Sequence, residues 1–159
     1  MAYSKENPCT ANAEEIYKYF KDHGWSKNAI YALLGNIQYE SDGIIPTKEE
    51  VGGGGGYGLV QWTPKRKLTD WAGAQKTPLN PAKLSTQCTR IQYECVNETQ
   101  WAKKKAYNNM TFQQFSKSTE SVEYLTKAFL VCYENPKDPS ATQNTRIKYA
   151  NYWKKHFEN

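Results

Sequence analysis

The sequence holds only two histidines and four cysteines in 159 residues. His23 and His156 are far apart, no CxxC occurs, and no His–Cys cluster has zinc-ligand spacing, so neither a metal nor a cofactor is expected. No apolar run approaches the roughly 20 residues that cross a bilayer, so no membrane insertion is expected. The opening stretch, MAYSKENPCTANAEE, lacks an apolar core segment. No secretory signal is therefore expected, and a role outside a cell would need another carrier. The glycine run after Val51 lacks the Lys-Ser/Thr ending of a phosphate loop. Lysines and arginines are scattered, with no basic–aromatic motif of a nucleic-acid reader, so no nucleic-acid partner is expected. No repeat or linker divides the chain, and residues 1–159 read as a single domain.

What is present is mostly ordinary. The chain is 38% hydrophobic and 23% charged, as a soluble globular domain is. A net charge of +5 suits an anionic polymer such as a bacterial wall, or simply a solvated basic surface. Twelve Tyr and five Trp supply flat amphipathic rings for sugar faces as well as for a core. Cys88 and Cys95 are seven apart in a helical pattern, roughly 10 Å along the axis. A disulfide needs Cα atoms within about 7 Å, so these two cannot pair, and all four cysteines are expected to be buried free thiols.

The periodicity predicts helix after helix. Asn12 with Glu15 reads as a capping box, followed by Ile16, Tyr19, Phe20 and His23 on one face and a stop at Gly24. Ser26 caps a second helix through Ile30, Leu33, Leu34 and Ile37. Thr63-Pro64 and Asn80-Pro81 open a third and a fourth, since Pro is favoured at the first helical position. A short helix follows Thr111, and another opens at Ser118 or Thr119 with Val122, Leu125, Phe129 and Cys132 inward. A last helix over 142–157 buries Ile147, Ala150 and Trp153 and leaves Arg146, Lys148, Lys154 and Lys155 wet. Only residues 44–62 resist. Their Gly-rich stretch reads as a loop or small hairpin, with 52–56 as a loose rim and 57–62 as a fixed floor.

One residue breaks its own pattern. Continuing 30, 33, 34, 37 leads to Glu40, a carboxylate on the core-facing stripe in the last helical turn. Burial and the negative helix end both disfavour its charged form. A carboxyl that holds its proton is what a general acid in glycoside cleavage must be, lysozyme being the worked example of that principle.

The motifs LGNIQYES (34–41), VGGGGGYGLVQWTP (51–64) and YENP (133–136) stand in an order that resembles the phage tail lysozyme family, within the lysozyme-like superfamily. The resemblance spans about residues 12–157. It implies a mainly α, lysozyme-like fold with a small Gly-rich loop or β-hairpin beside the cleft. It implies a muramidase cleaving the β-1,4 bond between N-acetylmuramic acid and N-acetylglucosamine, carried in a virion tail and acting on the host wall. Its partners would be bacterial peptidoglycan and other phage tail proteins. A lytic transglycosylase or a non-catalytic wall-binding tail module are the alternatives. Glu40 matches the catalytic acid, and Ser41 follows it. By the same resemblance Gly58 and Gln61 stand beside the acid, Tyr57 and Trp62 line the sugar path, with Trp62 equally suited to the core, and Tyr133 and Glu134 match the late motif, whose tyrosine would reach the acid. The second carboxylate is left between Glu49 and Glu50, in the loop before the glycines. Asp42, two residues beyond the acid, is expected to point to a different side of the helix.

Overall fold

The computed structural model describes residues 2–159. The chain is mainly α, as expected. Its helices are α1 (Thr10–Asp22), α2 (Lys27–Glu40), α3 (Arg66–Gly73), α4 (Leu84–Asn97), α5 (Phe112–Lys117), α6 (Val122–Phe129) and α7 (Gln143–Glu158). A π turn, Leu130–Glu134, continues α6. Strand-like pairing among the described residues is limited to isolated bridges, two of which, Glu49 with Tyr57 and Tyr57 with Trp62, pin the Gly-rich loop.

Helix α2 forms the centre. Every residue from Ala29 to Gln38 is buried, so it needs partners on all sides and packs against α7, α6, α1 and α5. Burying Leu33, Leu34 and Ile37 contributes about 2 kcal/mol apiece. The Ser26 hydroxyl accepts from the Ala29 amide and donates to the Ser118 carbonyl, so one side chain starts α2 and ties it to a distant loop. At Gly35 helix α7 comes so close that an added Cβ would lie 2.5 Å from the Arg146 carbonyl oxygen. Trp101, Phe112, Phe115, Phe129 and Tyr133 stack beside this core and anchor the π turn.

Several starts differ from expectation. Helix α1 begins at Thr10, so Asn12 lies inside it, and its amide donates instead to the Ile44 carbonyl just beyond α2. Helix α3 begins at Arg66, after a turn through a cis Thr63–Pro64 bond. Helix α4 begins at Leu84, because Asn80 closes a local turn by accepting from the Ala82 amide. Ser121, not Ser118 or Thr119, caps α6 by accepting from Tyr124. On α7 the buried face is Arg146, Tyr149, Ala150 and Trp153; Arg146 is 3% exposed and not wet. Ile147 is half-buried. All four cysteines are buried and free. Burial pushes the thiols of Cys95 and Cys132 up to about 11, so they serve as small apolar residues.

Gly52, Gly53 and Gly55 take positive φ and face open space. Leu59 and Val60 are buried immediately after them and fix the floor.

Candidate active site

The C-terminus of α2 opens onto a cavity of about 310 Å³ lined by Lys5, Tyr39, Glu40, Asp42, Lys48, Glu50, Val51 and Gln61. A second cavity of about 350 Å³, lined by Glu49, Glu50, Gly53, Gly55, Gly56 and Lys65, shares Glu50 as a wall. Each is at the small end of ligand-site size, and Glu50 lines both.

Glu40 lines the first cavity with its side chain 18% exposed. Its Oε2 lies 2.6 Å from an Arg146 guanidinium nitrogen. It is thus an ion-paired carboxylate, not the isolated acid that the apolar stripe suggested. Arg146 is held from every direction. It donates to Asn36 Oδ1 at 3.0 Å and to Thr142 Oγ1 at 3.0 Å, and it lies 4.3 Å from the Tyr39 ring centre. A planar guanidinium on such a fork fixes one orientation of Glu40.

Asp42 corrects a second expectation. The helix ends at Glu40, and Asp42 takes φ +49, which turns its carboxylate into the same cavity. Lys5 and Lys48 clasp it at 2.5 Å and 2.7 Å. Burial works against the charged form, but hydrogen bonds and charge from Lys48 and Lys5 outweigh it and hold the carboxyl below its ordinary range. Glu50 is exposed and accepts only a 3.3 Å bond from the Gly56 amide. Glu49 faces Lys65 at 3.7 Å, in the second cavity.

Other residues expected to meet the sugar support the wall from behind. Ser41 is fully buried; its hydroxyl donates to the Ile37 carbonyl and accepts from the Ile45 amide, closing the helix end. Tyr57 is buried beneath the Lys65 ammonium, 4.1 Å from its ring centre. Gln61 does line the cavity, but its amide nitrogen already donates to the carbonyls of Lys48 and Gly58. Its oxygen is the end left to receive a donor. Trp62 and Tyr133 both turn inward onto Glu94, at 3.1 Å and 2.5 Å, so Tyr133 does not reach Glu40. Glu94 is fully buried and also accepts from Arg90 at 3.1 Å. Burial pushes its carboxyl up, opposed by the Tyr133, Arg90 and Trp62 donors. The sequence signal for it was available: Glu94 sits between Ile91 and Cys95 on the apolar face of α4, the same anomaly that marks Glu40.

Gly58 carries the floor. Its φ is +88, and an added Cβ would stand 2.8 Å from Gln87 Oε1. Gln87 accepts from the Leu59 amide and donates to the carbonyls of Pro46 and Pro81. Gly58→Val should therefore cost about 1–3 kcal/mol and disturb the wall that bears Gln61. Gly53→Val, at φ +83 in open space, is the control with the same backbone strain and no neighbour. The Tm of the two variants checks this; equal Tm would contradict a structural floor at Gly58.

A family model described as phage tail lysozyme matches residues 11–157. A curated relative, morphogenesis protein 1 of Bacillus phage B103, is 40% identical over 155 residues. That match covers 96% of this chain but 40% of the relative, so the chain spans well under half of that protein's length.

Proposed function

The chain belongs to the phage tail lysozyme family, and on that premise we propose that it hydrolyses the β-1,4 bond between N-acetylmuramic acid and N-acetylglucosamine, with Glu40 as general acid. The observation that carries this reading is the grouping of Glu40, Asp42, Glu50 and Gln61 around one cavity at the end of α2. A glycan strand lies across this cavity with its scissile oxygen at Glu40, beside the rim of Gly52–Gly56. The protein serves in a virion tail and opens the host wall beside other tail proteins. In this reaction a carboxylate opposite the acid either takes a proton from the attacking water or itself bonds to the anomeric carbon as the leaving oxygen departs. Glu50 takes that place better than Glu49. It lines the cavity of Glu40 and has one weak hydrogen bond, whereas Glu49 faces Lys65. Asp42 is committed to two lysines and acts as a fixed negative charge.

Glu50→Gln is accordingly expected to reduce turnover more than Glu49→Gln, and both less than Glu40→Gln. Initial rates on purified walls rank the three; full rates in both loop variants and in the double variant would move the base elsewhere or leave water alone. The enzyme is separated from a wall-binding module by incubating purified Gram-positive walls with the protein. Release of soluble glycan supports the proposal, and sedimentation of intact walls with bound protein refutes it.

A further inference from the structure

A further cavity, of about 210 Å³, is walled by the N-terminal segment, α2 and α7, and none of its lining residues belongs to the cavity of Glu40. Its base is polar and already satisfied. Gln38 is buried; its amide nitrogen donates to the Lys5 carbonyl at 2.5 Å, and its oxygen accepts from the Trp153 indole at 2.7 Å. Tyr149 is buried too, and its hydroxyl donates to Glu6 Oε1 at 2.6 Å. The mouth is different. Lys148 and Glu6 are 75% and 71% exposed and stand 3.9 Å apart. So loose and wet an ion pair adds little stability, and the two charges part at small cost to meet a ligand. Tyr152 is 52% exposed and is braced edge-on by Trp153, which leaves a flat amphipathic ring at the rim.

Each wall of this cavity continues a wall of the catalytic one. Glu6 follows Lys5 and Gln38 precedes Tyr39, and Lys5 and Tyr39 both line the cavity of Glu40. The Lys5 ammonium lies 4.8 Å from the Tyr39 ring centre, so these two neighbours touch. On α7, Tyr149 and Tyr152 come three and six residues after Arg146, whose guanidinium holds Glu40. That is about 4.5 Å and about 9 Å along the helix axis. An extended chain advances about 3.3–3.6 Å per residue, so a peptide of about three residues covers the same distance.

We propose that this cavity binds the stem peptide of the wall polymer, a short peptide with a free carboxylate and, where it is not cross-linked, a free amine. The proposal rests on peptidoglycan as the substrate and adds a subsite for the part of it that is not sugar. The stem is attached to the lactyl group of N-acetylmuramic acid, one of the two sugars at the scissile bond. With that bond at Glu40, the peptide leaves the glycan next to Lys5 and Tyr39. Lys148 then receives its carboxylate, Glu6 its amine, and the Tyr152 ring its aliphatic part. A second stretch of glycan suits the cavity less well, because its N-acetyl sugars are uncharged and give Lys148 and Glu6 no ionic partner.

The tripeptide L-alanyl-γ-D-glutamyl-L-lysine is the probe, titrated to millimolar concentration into the wild-type protein and followed by ¹H–¹⁵N NMR. Saturable shifts at Glu6, Lys148 and Tyr152 are expected, and Lys148→Glu, which turns an attraction into a repulsion at an exposed position, should weaken them about tenfold. No shift at these residues, or equal affinity in the variant, would overturn the proposal. Shifts there with a tetramer of N-acetylglucosamine but not with the tripeptide would overturn it in favour of a glycan subsite. Turnover gives a second reading. The ratio of kcat/KM on walls that carry stems to that on walls stripped of them by an amidase should fall in Lys148→Glu, through KM; an unchanged ratio would overturn the proposal. Wall lysis by a wild type that ignores the tripeptide removes this inference alone. Tripeptide binding at these residues without release of glycan supports it and removes the glycosidase reading instead.

Discussion

Glu40→Gln is expected to lower wall lysis by about 10²- to 10⁴-fold while the protein still folds. Glutamine keeps the shape of the side chain and one hydrogen bond toward Arg146, but it has no proton to give. Arg146 loses an ionic partner and keeps Asn36 and Thr142 as acceptors, with Tyr39 against its face. A modest fall in Tm with an unchanged far-UV spectrum should accompany the loss of activity. Since the carboxylate is partly exposed, solvent softens the penalty that a deeper pair would show. A decrease below about tenfold would remove Glu40 from the role of acid, because general acid catalysis rarely contributes so little.

Arg146→Met should produce the largest loss of stability. Methionine fills much of the same space but leaves Glu40 without its cation and Asn36 Oδ1 without its donor. Removing one partner of a buried pair costs about 3–5 kcal/mol, and the partial exposure of Glu40 places this variant toward the lower figure. The penalty has a pH signature. Losing the cation costs most where its carboxylate partner is charged, so the deficit should shrink as the pH is lowered. Chemical denaturation of wild type and variant at neutral and at acidic pH checks it. A deficit that does not depend on pH would mean that Arg146 acts through packing alone.

The legible parts of this protein were those written locally. Ser26 and the apolar residues after it specify α2 within a few positions, since a cap and a period act over one or two turns. Thr111 opens α5 with a full capping box, again a contact across three residues. Glu40 drew notice because a charge on an apolar stripe is a local contradiction. Its partner did not, because Arg146 stands at the other end of the chain and a charged residue on a polar-looking helix reads as solvated. The apolar period points to Ile147 as an inward residue of α7, but the buried face begins one residue earlier, where the guanidinium meets Glu40 and Asn36. Asp42 escapes the sequence for a different reason: helical geometry does not continue past Glu40, and the left-handed turn at 42 swings its carboxylate back into the cavity of Glu40. Tyr133 and Trp62 belong to motifs whose matches suggested the cleft, yet both serve Glu94, which unites α4, the floor segment and the π turn. Such a hub needs three separate segments to be seen together.

Mass spectrometry of the soluble products from purified peptidoglycan tests the central claim most directly. Hydrolysis at the muramic acid–glucosamine bond adds one water and leaves reducible N-acetylmuramic acid ends, and the same digest with Glu40→Gln should contain none above background. Anhydro-muramic ends would contradict hydrolysis and make the enzyme a transglycosylase; cleavage confined to peptide bonds, or no cleavage by the wild type, would contradict the glycosidase itself.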